Sequence, residues 1–456
     1  MTDHKQGGKR AGSAKGHLLL SETESPLKSI HEGQGVERAK SVAAADAPVS
    51  DEAPGSDEAY FVEQAMNSTA ALAHFGMMIV CIDDIGHVIK PERVASDVSG
   101  IVGKVIEKEG GTWHKTGKDV FGCCLPDKDE TACRRAAEKI CGQTLKQAKA
   151  TVSIGIAVYP TLSYEKKDVF ENAKKALAHA GFFGPGSIVC FDAVSLNISG
   201  DNFYQAGRKE EALAEYDRAL AMDPENVNVH NSIGVCYGDR EDWDNALAAF
   251  NKAMALDPAD AFAVYNAGYI HMQKQDYAAA LGFFQRAIEL DGSIFELLFQ
   301  TGRALFELGR PEEALSYIDQ AMAINDAPGG IVYRIIGDCN MALDRAADAI
   351  KAYNTALKLR PDDAHSLSEL ALCYENENRN PEIALMFGEN AVEIQPENGL
   401  FHHRLAMMYF NRGRFEEAIA HFEAAVEHGH EPSTPHLEST REMMAGSARK
   451  TNIAGS

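Results

Sequence analysis

From about Ala193 to Pro432 the small, bulky and polar positions recur with a period of 34 residues, seven times over. Two of the copies read VNVHNSIGVCYGDREDWDNALAAFNKAMALDPAD, from Val227, and GIVYRIIGDCNMALDRAADAIKAYNTALKLRPDD, from Gly330. A small residue stands at the eighth position of every copy: Gly200, Gly234, Gly268, Gly302, Gly337, Ala371 and Ala406. Alanine stands near the twentieth position and again seven residues later. Between those alanines most copies carry a bulky side chain: Tyr216, Phe250, Phe284, Ile318, Tyr353 and Phe422. This spacing predicts two amphipathic helices per copy. They cross where small residues let them approach, and the bulky side chain fills the gap between copies. Pro224, Pro258, Pro361 and Pro396 lack an N–H and end the second helix of four copies. The copies start near residues 193, 227, 261, 295, 330, 364 and 399, so single insertions fall near Gly329 and in the Asn376–Asn380 turn.

Upstream, short apolar runs alternate with helical stretches. Asp57–Leu72 predicts a helix, GMMIVCID (Gly76–Asp83) a buried strand and Glu92–Glu109 a second helix. Gly111–Pro126 predicts a hairpin, Asp129–Gln147 a helix and Ala150–Pro160 a long strand. Asp168–Ala180 predicts a helix and Ser187–Phe191 a last strand. The order β-α-β-β-α-β is that of a ferredoxin-like, split βαβ unit, with one helix and one strand appended. Residues 1–56 hold too little apolar surface to offset the entropy of ordering and are expected to be a disordered tail.

The 34-residue pattern resembles the tetratricopeptide repeat (TPR) family. The resemblance implies an all-α superhelical solenoid whose first helices line a concave, partner-binding face. Carried over position by position, it points to Asn231, Tyr265, Tyr269, Phe299, Arg303, Phe306, Arg334 and His403. Aromatic anchors and arginines suit an extended or helical peptide. The Lys/Asn pattern with which some family members clamp a C-terminal carboxylate is absent.

Residues 57–192 resemble GGDEF domains, whose active members condense two GTP molecules into cyclic di-GMP. The marks are a buried strand ending in acids, a Gly117-Lys118-Asp119-Val120-Phe121 hairpin followed by Leu-Pro, and SIGIA followed by Tyr-Pro. The family's strand end, Asp-x-Asp, reads Cys81-Ile82-Asp83 here, followed by Asp84, so a thiol takes the place of the metal carboxylate. Magnesium requires oxygen ligands. Gly117 and Asp119 keep the hairpin's first and third positions, whereas Lys118 replaces the glycine that lets backbone approach a phosphate. The guanine-reading Asn falls near Ile89, and the phosphate-contacting Lys and Arg align with Gly181 and Pro185. Lys108 and Gly111 stand at the product-inhibition motif, whose Asp is gone. Phosphoryl transfer depends on positioning and charge neutralisation. No catalytic residue is therefore assigned, nor any metal site or cofactor. A degenerate nucleotide site would consist of Asp83, Asp84, Gly117 and Asp119, and the alternative to a purely structural block is a sensor that binds GTP or cyclic di-GMP without turnover.

The organisation expected is thus a tail (1–56), a degenerate GGDEF-like domain (57–192), seven TPR units (193–432), and a capping helix with a tail (433–456). Composition narrows the partner class. A formal net charge of −23 argues against nucleic acid and anionic membranes as partners. No apolar run reaches the roughly 20 residues of a membrane helix. The nine cysteines show no paired zinc spacing and suit a reducing cytoplasm. His421, His428, His430 and His436 read as a solvated helix end. The expectation is a bacterial cytoplasmic scaffold that binds another protein or peptide.

Overall fold

The computed structural model describes residues 56–87, 90–325, 327–377 and 380–454. The expected N-terminal tail lies outside them, apart from Ser56. So does Ile89.

The first compact unit, described from Ser56 to Ile270, opens with helix α1 (Ser56–Thr69). There follow β1 (Phe75–Ile82), α2 (Pro91–Lys108), β2 (Thr112–Lys115), β3 (Val120–Pro126), α3 (Glu130–Gln147), β4 (Val152–Tyr159), α4 (Val169–Ala180) and β5 (Ile188–Cys190). The strands form one mixed sheet in the order β2-β3-β1-β4-β5. β1 runs antiparallel to both β3 and β4, while β5 adds parallel to β4. Every residue of β1 is buried, as its uninterrupted apolar run requires of a central strand covered on both faces. On one face Val98, Val102, Ile106, Ala137 and Ile140 of α2 and α3 pack against Met78, Val80 and Ile154. On the other, α1 and α4 cover Met77, Ile79 and Ala157. The Lys166 ammonium donates to Thr69 O, Ala70 O and Leu72 O at 2.8–3.0 Å, which gives the C-terminal carbonyls of α1 their partners.

The chain passes from β5 into helical hairpins through Asp192, whose carboxylate accepts from Ser195 N (2.8 Å) as an N-cap. This unit holds α5 (Ala193–Gln205), α6 (Lys209–Met222), α7 (Val227–Gly238), α8 (Trp243–Leu256) and most of α9 (Ala261–Gln273). The sheet and the hairpins share one core: Phe170, Ala173 and Ala180 of α4 join Leu196, Tyr216, Val229 and Cys236. At its edge Lys175 Nζ lies 2.6 Å from Glu215 Oε2.

The second unit, from His271, holds α10 (Tyr277–Leu290), α11 (Phe295–Glu307), α12 (Pro311–Ile324), α13 (Gly330–Ala342), α14 (Ala346–Leu359), α15 (Ala364–Asn376), α16 (Pro381–Ile394), α17 (Gly399–Asn411), α18 (Phe415–Glu427) and α19 (Thr434–Ala454). At four of the eighth-position glycines, the bulky residue lies directly on the glycine. A Cβ on Gly302 would meet Ile318 Cγ1 at 2.7 Å, and on Gly200, Gly234 and Gly337 it would overlap the rings of Tyr216, Phe250 and Tyr353. The bulky residue therefore seals its own hairpin, a tighter arrangement than a filler between copies. Among the described residues no helix is long and apolar enough to cross a membrane.

Candidate functional site

The end of β1 turns Asp83 inward and Asp84 outward. Asp83 is 5% exposed; Oδ1 accepts from Ser153 Oγ (2.7 Å) and Oδ2 from Gly186 N (2.8 Å). Its carboxylate thus ties β1 to β4 and to the turn before β5. Asp84, exposed and at φ 50°, does not join it, so the two acids form no carboxylate pair. Cys81 is buried, and burial, then the charges of Asp119 and Asp83, push its thiol up to about 12. It carries no negative charge at neutral pH. Asp119 is half-buried and its backbone carbonyl accepts from Ile82 N (3.0 Å). Gly117 is exposed in the hairpin turn, Gly181 is buried, and Pro185 is exposed. Among the described residues no three His, Cys, Asp or Glu side chains are grouped to hold a metal ion.

Removing the Asp83 carboxylate should therefore show up as stability. Asp83→Ala leaves Gly186 N–H and Ser153 Oγ without their acceptor, and the expected cost is about 2 kcal/mol. It is read from the urea midpoint of the full chain.

The first-helix positions fall into two groups. In the first unit Asn231, Tyr265 and Tyr269 are buried and not open to solvent. Asn266 Nδ2 donates to Asn231 Oδ1 (2.9 Å), and the Tyr265 and Tyr269 rings stack with centroids 6.3 Å apart. In the second unit Phe299 is also buried, stacked on Phe295 at 6.1 Å. All four side chains are thus enclosed by packing in this structure. Arg303 and Phe306 are half-exposed on α11. The Arg303 guanidinium donates to Gln300 Oε1 (3.1 Å), which orients it without neutralising it. Arg334 is half-exposed, with Nη1 3.3 Å from Asp363 Oδ1. Further along, Arg404 pairs with Glu369 (2.8 Å) and Arg412 with Glu375 (2.8 Å). These cross-links between successive first helices lay at positions that the sequence reading did not single out.

His403, expected on the partner-binding face, lies against the histidines expected at a solvated helix end. His402 and His421 approach Nδ1 to Nδ1 at 2.9 Å, and His403 packs on His430 at 4.6 Å and on His436 at 5.4 Å between centroids. Ser433 Oγ lies 2.9 Å from His403 Nδ1 and 2.8 Å from His430 Nδ1. His402 is buried and His403, His421 and His430 are half-buried, while His428 and His436 stay exposed as the solvated-end expectation has it. Burial, then the neighbouring His430, His436 and Arg404, hold His403 down at about 4. Burial also lowers His402, aided by His428, and lowers His421, aided by His402. All three rings are neutral when folded, whereas an unfolded histidine titrates near 6.5. Their contribution is complete above about pH 6.5 and is lost as pH falls towards about 4. Amide exchange in α17–α19 should accelerate across that window relative to α13 and α14, and less steeply in His403→Asn.

Comparisons with known proteins agree on the helical part. A tetratricopeptide repeat model matches residues 199–261, 299–364 and 340–384, and a second such model matches 399–429. A model described as anaphase-promoting complex, cyclosome, subunit 3 matches 239–321. No curated protein matches. Among solved structures, YrrB, described as a TPR protein with an unusual peptide-binding site, is 23% identical with a TM-score of 0.36. The match covers 41% of this chain and 96% of YrrB. The APC/C hetero-tetramer Cut9–Hcn1 is 16% identical with a TM-score of 0.45, over 54% of this chain and 48% of that one. A tetratricopeptide repeat protein from Parabacteroides merdae is 14% identical with a TM-score of 0.43, over 55% and 98%. The hairpins of this chain include tetratricopeptide repeats, units that in general mediate protein–protein interaction.

Proposed function

We propose that the protein is an adaptor that docks another protein or peptide on the first-helix faces of its repeats. The observation that carries this reading is the run of repeats itself, with Arg303, Phe306 and Arg334 half-exposed on α11 and α13 of one unit. An unneutralised guanidinium beside a ring offers charge-assisted hydrogen bonding and apolar contact together, which suits a ligand carrying carboxylates and an apolar anchor. The nine cysteines, all without disulfides, support a reducing cytoplasm as its compartment.

Residues 57–192 are, in this reading, a ferredoxin-like GGDEF-type block without catalysis. Two features support it. Cys81 offers a buried neutral thiol where a metal carboxylate would be needed, and Asp83 is held by Ser153 and Gly186. The rival reading, a GTP or cyclic di-GMP sensor, is settled by calorimetric titration of both nucleotides with magnesium. The adaptor reading expects no heat.

The docking face is tested by charge reversal. For a ligand peptide selected on the wild-type chain, Arg303→Glu and Arg334→Glu should each weaken binding about tenfold, or ~1.4 kcal/mol. Arg303→Lys should retain most of it. Unchanged affinity in both reversals would move the docking face elsewhere.

A further inference from the structure

The second helices of the repeats act as controls for one another, because each fills the same place in its hairpin. On α16 the residues Ala384, Leu385, Gly388 and Ala391 are buried, and the opposite side faces solvent. That side carries Ile383 at 37% and Met386 at 46% exposure. On sister helices the same two positions hold charged or small residues: Glu313 and Ser316 on α12, Asp348 and Lys351 on α14, Glu417 and Ala420 on α18. Hairpin packing therefore does not require large apolar side chains there. Ile394 is exposed too, but its position is apolar on α10, α12 and α14 as well, so Ile383 and Met386 are what set α16 apart. With about 3.6 residues per turn, Ile383, Met386 and Ile394 fall on one stripe, and Glu382, Glu389 and Glu393 run along an edge of it. All three glutamates are exposed. At the C-terminal end of α16 the stripe opens into a hollow lined by Ile394, Pro396, Glu397 and Leu400.

We propose that this outer stripe of α16 is a second docking surface, separate from the first-helix faces, and that its ligand is a basic amphipathic helix of another protein. The backbone decides the ligand's shape. The N–H and C=O groups of α16 are used within the helix, so the stripe offers side chains only. A ligand buried on it must satisfy its own backbone, which a helix does and an extended strand does not. Apolar residues spaced along one face of that helix would meet Ile383 and Met386, with one end seated in the hollow beside Leu400. Charge decides the ligand's sign. Residues 381–431 hold nine acids and three basic residues, Arg404, Arg412 and Arg414. Each arginine is already paired at 2.8 Å, with Glu369, Glu375 and Glu417 in turn. Glu382 and Glu393 have no cationic partner among the described residues. Lysines or arginines beside the ligand's apolar face would supply one. A second copy of this chain would bring the same nine acids instead of the bases that this edge calls for.

The test uses the full chain and a fluorescent peptide of leucine and lysine, patterned to set its leucines on one helix face and followed by anisotropy. The wild type should bind it one-to-one in the micromolar range, and more tightly as salt is lowered. Ile383→Asp with Met386→Lys gives α16 the pair that α14 carries and adds no net charge. That double variant should bind about tenfold more weakly. Its urea midpoint should not move, because both side chains are exposed. Glu382→Gln with Glu393→Gln should weaken binding about threefold and flatten its salt dependence. A shuffled peptide of the same composition, which has no apolar face, should bind far more weakly. Equal affinity of the shuffled peptide, or of the Ile383→Asp, Met386→Lys chain, would reduce the attraction to diffuse charge and overturn the inference. Absence of binding to the wild type would overturn it as well. A wild-type dimer in sedimentation that the double variant loses would assign the stripe to a second copy, with the same result. Arg303→Glu should leave this binding unchanged. Loss of binding there would place the peptide on the first-helix faces and overturn the inference while leaving the adaptor reading intact.

Discussion

Replacing Gly155 by alanine is expected to cost about 3 kcal/mol, although it adds one methyl group. Gly155 lies in the middle of β4, and α4 packs straight onto its backbone. A Cβ there would overlap Ala173 O and Leu177 N and stand 2.8 Å from Leu177 Cα. All three are main-chain atoms of a helix, so no side-chain rotation relieves the overlap. The helix would have to lift from the sheet and uncover Phe170, Ala173 and Ala176. The check is the urea midpoint of the full chain, with Gly282→Ala as control. Gly282 lies on α10 with nothing within 4 Å of a new Cβ, so that change should leave stability unchanged or raise it by up to about 1 kcal/mol. Equal midpoints for the two variants would show that α4 does not sit on β4 as described.

The second large effect concerns the junction between sheet and repeats. Glu215 is 4% exposed on its side chain and is held by Lys175 at 2.6 Å and by Arg218 at 2.7 Å. Lys175→Met removes the better-shielded partner and leaves the buried carboxylate to Arg218, whose side chain is 52% exposed. Breaking one side of a buried pair costs several kcal/mol, and the partial exposure here lowers the expectation to about 2 kcal/mol. The double variant Lys175→Met, Glu215→Leu should recover most of that, because the charge that needed a partner is gone. A double-mutant cycle in urea measures it. If the double variant is as unstable as the two single losses summed, the two side chains do not act as a pair.

Much of this architecture is legible in the sequence for physical reasons. A period of 34 residues registers because each hairpin must repeat the same close approach, glycine under a ring, as at Gly234 and Phe250. β1 registers as an unbroken apolar run because it is covered on both faces. Gly155, in the SIGIA run, is required by the helix packed on it. What the sequence does not disclose is direction and cover. Asp83 and Asp84 read as neighbours at a strand end, yet one is turned inward to Ser153 and the other outward. Periodicity puts Tyr265, Tyr269 and Phe299 on a first-helix face but does not say whether that face is open. The histidines from His402 to His436 are scattered over three helices and the turns between them, and only the packing of α17, α18 and α19 on one another brings the rings together.

The most direct test of the adaptor account is selection from a random peptide library on the full-length chain, followed by titration of the enriched peptides. The account predicts one-to-one binding in the micromolar range, acidic groups flanking an apolar anchor in the enriched sequences, and loss of binding in Arg303→Glu. Enrichment of nothing, with the chain shown to be folded, would contradict it.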